Sequence, residues 1–281
     1  MIRALPKWLR WLAAIAALPG AVLIYGYLEA VADPALRRAE LAVPGIAPGT
    51  PPYRVALLSD IHFGNAAMRL SRLERIVAQV NAAKPDLIVI VGDFVNGKHG
   101  QPDTDPRGLT APLAALRARD GVVATLGNHD HWTDPAAVRA ALTAAGITVL
   151  SNQVVQRGPL LLLGIDDYIS DHADVAAAMA ATRGRGGALV ALSHAPEITP
   201  KLPGEVSLLL AGHTHCGQIV VPLLGSLTTA LGQHFYDPRY ECGVIQQIGR
   251  TIVVTGGLGA GTLPLRIGAP PDWWLLTLRA P

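Results

Sequence analysis

The sequence predicts an α/β layered sandwich in one domain, on three observations. Short apolar runs alternate with segments of helical spacing through the first half, and strand-like runs crowd the second half. Half of the 281 residues are hydrophobic and only 16% are charged, so the chain can bury a sizeable core and is not disordered.

The elements follow in order. Trp11 to Leu28, "WLAAIAALPGAVLIYGYL", carries no charge and has the length of a short membrane span. Arg3, Lys7 and Arg10 precede it, while Glu29 and Asp33 follow. Residues 1–32 are therefore expected to be an N-terminal membrane anchor with its start in the cytoplasm and the rest outside. Pro19-Gly20 predicts a kink that a span tolerates. Two rivals remain: "AVA" at 30–32 resembles a signal-peptidase site, and the helix could lie in the interface. Residues 33–52, with "VPGIAPGTPP", read as a Pro/Gly-rich linker.

The body of the chain is 53–281. Strands are expected at Arg54–Ser59, Asp86–Val91 and Val122–Leu126, with a helix at Met68–Ala83 between the first two. Pro135–Ala145 reads as a helix capped by Asp134, with proline at its first position. Strands at Ile147–Leu150 and Leu160–Ile165 precede an alanine-rich helix near Asp174–Ala181. Ala188–Leu192, Val206–Leu210, Val244–Ile248, Thr251–Thr255 and Trp274–Leu278 complete the strands, with Trp273-Trp274 expected to pack the last one onto the fold.

A net charge of +2 without a basic run excludes nucleic acid as the main partner. The two cysteines, Cys216 and Cys242, form neither a disulfide framework nor a zinc-knuckle spacing, and read as small buried residues.

The strand ends carry the chemistry. "VALLSDIHFG" ends on Asp60 and His62, "LIVIVGDFVNG" on Asp93, and "VVATLGNHDH" on Asn128, His129 and Asp130. "ALVALSHAPE" ends on His194 and "SLLLAGHTHCGQ" on His213 and His215. In open α/β sheets ligands bind at the carboxyl ends of strands, so these residues aim at one edge. Carboxylates buried beside neutral imidazoles are costly without a cation. The donors Asp60, His62, Asp93, Asn128, His194, His213 and His215 exceed what one tetrahedral zinc uses. Two divalent ions about 3.5–4 Å apart, sharing a carboxylate, would use them all. The nitrogen and oxygen mix suits Zn, Fe or Mn.

The series "DIH", "GD", "GNHD", "SHAPE" and "GHTH" resembles the calcineurin-like metallophosphoesterase superfamily. "GHTHCGQ", "GIDD" and "GGLGAGTLPLRIGAPPDWWLLTL" are similar to its membrane-anchored bacterial YaeI/YkuE-like branch. The resemblance implies an α/β/β/α sandwich of two mixed β-sheets flanked by helices, with 53–281 as the catalytic domain. It implies one metal held by Asp60, His62 and His215, a second by Asn128, His194 and His213, and Asp93 bridging. It also implies in-line attack on phosphorus by a hydroxide between the metals, with His129 protonating the leaving oxygen or stabilising phosphoryl charge. In the phosphoprotein-phosphatase branch an aspartate orients that histidine from the position of Asn96 here, so the role is open; Asp130 is a candidate for the catalytic set and equally for a turn or cap.

Lesser candidates are Arg266 for a substrate phosphate, His131 as a loop histidine beside the cleft, Asp166-Asp167 as turn residues, and His99, His172 and His234 as surface loops. The expected activity is hydrolysis of a phosphodiester or pyrophosphate of a lipid or nucleotide-linked lipid, by analogy UDP-2,3-diacylglucosamine in lipid A synthesis. The expected location is a single-pass anchor in the cytoplasmic membrane, with the domain outside. A phosphomonoesterase or nucleotidase would use the same metals; a non-catalytic metal-binding membrane scaffold would have no need of His129.

Overall fold

The computed structural model describes residues 6–98, 100–233 and 236–281, without the side chains of residues 7, 9–16 and 101. Two six-stranded sheets face each other. The first runs Ala35–Ala42, Asp272–Arg279, Tyr53–Leu58, Leu87–Val91, Val122–Thr125, Thr148–Val149. The second runs Gly243–Gln247, Arg250–Val254, Leu208–Ala211, Ala188–Leu192, Leu160–Gly164, Gln153–Arg157. Both are mixed. In the first, Asp272–Arg279 lies antiparallel to Tyr53–Leu58; in the second, both edge pairs are antiparallel around a parallel centre.

Strand pleating explains the layers, because alternate side chains point to opposite faces. Leu87, Val89 and Val91 meet Leu162, Val190, Leu208 and Leu210 in the core between the sheets. Ile88 and Ile90 point the other way, onto Leu73, Ile76 and Val80 of the helix Leu70–Ala82 and onto Val138 and Leu142 of the helix Pro135–Ala144. A third cluster covers the outer face of the second sheet, joining Ala191, Leu209 and Ile252 to Ala178, Ile198 and Leu202. Central strands buried on both faces read as continuous apolar runs, which is why the sequence located them within a residue or two. Asp134 caps its helix as expected, accepting from the Ala137 amide, and Trp273 is buried.

Three expectations are corrected. Residues 33–52 are more than a linker: Ala35–Ala42 pairs in parallel with Asp272–Arg279 as an edge strand. Its "ALRRAELA" hides the pattern because Arg37, Arg38 and Glu40 face water along the edge, where charge blocks further pairing. Gln153–Arg157, another half-exposed edge strand, escaped notice for the same reason. The third correction concerns the cysteines. Cys216 and Cys242 are joined in a disulfide with a Cα–Cα distance of 4.8 Å, although nothing in a separation of 26 residues signals contact.

The N-terminal helix spans Lys7–Val31. Its residues 17–25 project from the domain, exposing Leu18, Val22, Leu23, Ile24 and Tyr25, whereas Gly26 and Ala30 seat on it. Buried Arg72 ties down the helix end by donating to the carbonyls of Val31 and Ala32. Among the described residues no helix is long and apolar enough to cross a membrane. Part of the Trp11–Leu28 run lies outside the described side chains, as do His99 and His234.

Candidate metal centre

The loops after five parallel strands converge at one edge of the sandwich. Asp60 and His62 leave Tyr53–Leu58, and Asp93 leaves Leu87–Val91. His129 follows Val122–Thr125, His194 follows Ala188–Leu192, and His213 and His215 follow Leu208–Ala211. Backbone bonds lock these loops together. The Asp60 amide donates to the Gly92 carbonyl at 3.0 Å and the His62 amide to the Asp93 carbonyl at 3.0 Å. The His213 amide donates to Asp60 Oδ2 at 3.1 Å, joining the two sheets.

The backbone is strained where the polar groups sit. Asp60, His62, Asp93, His213 and His215 all have positive φ, between 49° and 71°. Each such residue costs on the order of 1–3 kcal/mol and persists only where its surroundings over-determine it, commonly at functional sites. Glycines supply the close approach: a Cβ on Gly127 would strike the Asp93 carboxylate, and one on Gly212 would strike Ser59 and Asp60.

Two acidic centres result. Asp60 Oδ1 lies 3.5 Å from His215 Nε2, 3.8 Å from His62 Nε2 and 4.0 Å from His194 Nε2. Asp93 Oδ2 lies 3.2 Å from His194 Nε2 and 3.5 Å from His62 Nε2. His62 Nε2 and His215 Nε2 approach to 3.1 Å. Potential donor sets are thus Asp60–His62–His215, Asp60–Asp93–His194 and His62–Asp93–His129. The His213 ring lies against His194 with centroids 5.1 Å apart, and Asn128 is buried in the same cluster of loops.

These groups fit cations. Asp60 Oδ1, His62 Nδ1, Asn128 Oδ1 and His194 Nε2 are buried without a hydrogen-bond partner, a costly state for several polar atoms in one place. The near contact of His194 Nε2 with Asp93 is close enough for an ion pair but too poorly aligned for a hydrogen bond. His194 Nδ1 donates to the Val91 carbonyl at 2.8 Å, which presents Nε2 to the site as a neutral imidazole ligand requires.

Burial dominates the electrostatics of the cluster. Burial pushes His62 down to about 3 and His215 well below the ordinary histidine range, the latter assisted by His62 and Arg266. Burial, then His194, lowers His213 as well. Burial raises Asp60. Burial would also raise Asp93, but His194 and His129 outweigh it and hold that carboxyl well below the usual range. His194 is raised well above its ordinary value because Asp93 overcomes desolvation.

His129 stands beside the cluster. Its amide donates to Asp93 Oδ1 at 2.8 Å, and its Nδ1 donates to the Gly97 carbonyl at 2.8 Å. The Gly97 carbonyl therefore orients the ring, and Asn96 instead bonds Asp103. A cavity of about 300 Å³, lined by His129, Asn96, Lys98, Asp103 and Thr262, opens in front of it. Sequence reading missed this wall, because Gly97 acts through a carbonyl that every residue has.

Two site assignments change. Asp130 is not placed for catalysis: one carboxylate oxygen accepts from the amides of Phe94 and Val95, the other from Gly127. It holds the Asp93 loop to the Asn128 loop. Burial, then Asp93, raises its carboxyl to about 7 against those amides. Asp130→Ala should lower stability by about 3 kcal/mol or more, since it strands three amides, measured by denaturant unfolding of the metal-free protein. Arg266 is not free for substrate either. It is fully buried, and its guanidinium donates to the carbonyls of Gly256, Gly259, His215 and Ala269 and to His215 Nδ1. With its donors committed, it props His215 from behind.

His131 is likewise no solvated loop residue. It pairs with Asp166 Oδ1 at 2.7 Å and stacks on His172 with centroids 3.9 Å apart. Asp167 closes the turn by accepting from the amide and hydroxyl of Ser170. Burial lowers His131, but the hydrogen bond and charge of Asp166 more than offset it, so the net shift is upward. Burial raises Asp166, and His131 reverses this to a net lowering. A raised histidine loses its contribution as pH rises through its folded value, and a lowered carboxyl as pH falls through its own. The pair therefore contributes fully between about pH 4 and 6.5. Asp166→Asn should cost about 2 kcal/mol at pH 5.5 and clearly less at pH 9, by denaturant melts at both.

The calcineurin-like phosphoesterase profile matches residues 53–217. The chain is 30% identical over 237 residues to the uncharacterised metallophosphoesterase YkuE of Bacillus subtilis, covering 81% of this chain and 79% of that protein. It is 31% identical over 275 residues to a Danio rerio transmembrane protein with metallophosphoesterase domain, covering 91% of this chain but only 60% of that protein. A dimetal phosphatase from Danio rerio superposes with a TM-score of 0.44 at 13% identity, over 76% of this chain and 90% of that one, too remotely to carry weight. With the profile spanning more than half of the sequence, including all five strand ends, and a relative 30% identical over most of both chains, the chain belongs to the calcineurin-like phosphoesterase family and is a metal-dependent phosphoester hydrolase.

Proposed function

We propose that the chain is a membrane-tethered phosphodiesterase with two divalent ions, Mn, Zn or Fe, acting on a lipid phosphoester outside the cytoplasm. The observation that carries the site is the set of unpartnered, buried donors at converging strand ends. Asp60, His62 and His215 would hold one ion, and Asn128, His194 and His213 the other, with Asp93 between them. Such a pair neutralises phosphate charge and lowers the pKa of water toward about 7. The protein's own part is positioning. The strained loops hold the donors, Arg266 braces His215, and His129, fixed through Nδ1 by Gly97, keeps Nε2 available for a proton at the leaving oxygen.

The tether rests on the exposed apolar turns at residues 17–25, since a helix apolar on all sides needs an apolar environment. The disulfide supports the extracytoplasmic side, because disulfides persist in oxidising compartments. It weighs against a cytosolic UDP-linked lipid such as UDP-2,3-diacylglucosamine and favours a lipid phosphoester in the outer leaflet.

Purified full chain with Mn²⁺ should hydrolyse bis-p-nitrophenyl phosphate faster than the monoester. A metal-loaded protein inert toward both would be the scaffold, and monoester preference would make it a monoesterase. In right-side-out vesicles, added protease should reach the domain, and Cys216 and Cys242 should resist alkylation until reduced; protection from protease would put the domain inside.

A further inference from the structure

We propose that the cavity on the His213 and His215 side takes the hydrocarbon chain of the substrate, so that this enzyme selects amphiphilic phosphoesters by their apolar part. The inference rests on the phosphoesterase reading and specifies which wall of the site meets which part of the substrate. The cavity measures about 330 Å³. Its lining combines His213 and His215 with the apolar side chains of Ile219, Leu227 and Leu263 and the ring of Tyr236. Whatever fills it lies beside phosphorus and against hydrocarbon.

Four of the polar side chains around it, Thr214, Gln218, Thr228 and Tyr236, are already engaged. Thr214 Oγ1 donates to the Glu241 carbonyl at 2.6 Å. Gln218 donates to the Leu263 carbonyl and accepts from the Gly261 amide. The Thr228 hydroxyl bonds Ser226, and the Tyr236 hydroxyl lies within hydrogen-bond distance of Ser226 Oγ at 2.9 Å and of Glu241 Oε2 at 3.1 Å. A sugar or base would find those side-chain partners already taken, whereas an alkyl chain requires none.

The chain segment that supplies most of this lining points to where such a chain would come from. Between Glu205 and Asp237 the sequence has no Asp, Glu, Lys or Arg, yet part of that stretch lies on the surface. Leu223 is 106% exposed, Leu224 67% and Leu231 66%, and Leu263 adds 55%. An uncharged surface segment with projecting leucines departs from ordinary solvated surface and marks a contact with an apolar phase. Backbone bonds stitch this segment to the N-terminal helix: the Val220 amide donates to Ile267, the Ile267 amide to Gln218, and the Arg266 amide to Gly26. The projecting leucines and the apolar turns of that helix therefore belong to one fixed assembly. A lipid drawn from a bilayer touching it would enter the cavity chain-first, leaving its phosphoester at the metal-ligand histidines.

The test compares methylphosphonate with octylphosphonate, below its micellar concentration, binding to the full chain in lipid nanodiscs with Mn²⁺ and empty discs as reference. The octyl compound should bind at least about tenfold more tightly, since each buried methylene adds apolar area removed from water. Leu263→Gln and Leu227→Gln should each reduce that ratio to below about threefold. Equal affinities in the wild type, or a ratio unmoved by both variants, would overturn the proposal. If bis-p-nitrophenyl phosphate is not hydrolysed but the ratio persists, the enzyme reading fails and the chain site stands.

Discussion

His129→Ala is expected to lower kcat by about 10²–10⁴-fold while leaving metal content at the wild-type level. The ring is set for proton transfer, with Nδ1 held by the Gly97 carbonyl at 2.8 Å and the cavity of Asn96, Lys98 and Asp103 in front. The substitution retains the amide that donates to Asp93 Oδ1, so the carboxylate keeps its position. Its other role would be as a ligand, because His129 lies within reach of His62 and Asp93. Elemental analysis separates the two. Loss of metal along with rate would make it a ligand, and an unchanged rate would remove it from the mechanism. Gln at this position should not restore the rate, since an amide does not exchange a proton near neutral pH.

Asp93→Asn is expected to weaken metal binding by at least about 10²-fold and to abolish most activity with it. The substitution preserves shape and the acceptor for the His129 amide, but it removes the negative charge that His194 and His62 face at 3.2 and 3.5 Å. The same change should bring His194 down toward its ordinary value, because Asp93 is what outweighs its desolvation. Full metal content in the variant would show that Asp93 is not shared between the ions, and would leave Asp60 as the anionic anchor of the site.

Much of this site was legible because its donors sit where strand chemistry changes abruptly. An apolar run such as Leu208–Ala211 has no local reason to end in two imidazoles, and five such endings imply a common edge. The misreadings have a different origin. Asp130, adjacent to His129, read equally as catalytic or as a cap, and the helical turn Asn128–Trp132 decides for the second by directing its carboxylate to three backbone amides. Arg266 looked like a phosphate clamp, yet burial assigned its fork to carbonyls and His215. In both cases the type of residue was informative, and the direction of the side chain was not.

By itself the chain's pattern of apolar runs determined the layered α/β class and the central strands with the polar residues at their ends, because burial on both faces imposes composition directly. Tertiary structure alone decided what the edges, the cysteines and the carbonyls do. The strand Ala35–Ala42 exists through the partner it finds at Asp272–Arg279, Cys216 meets Cys242 across a fold, and Gly97 orients His129 with an atom common to all residues. Pairing between distant segments leaves no periodicity in either segment, so only their meeting in space reveals it.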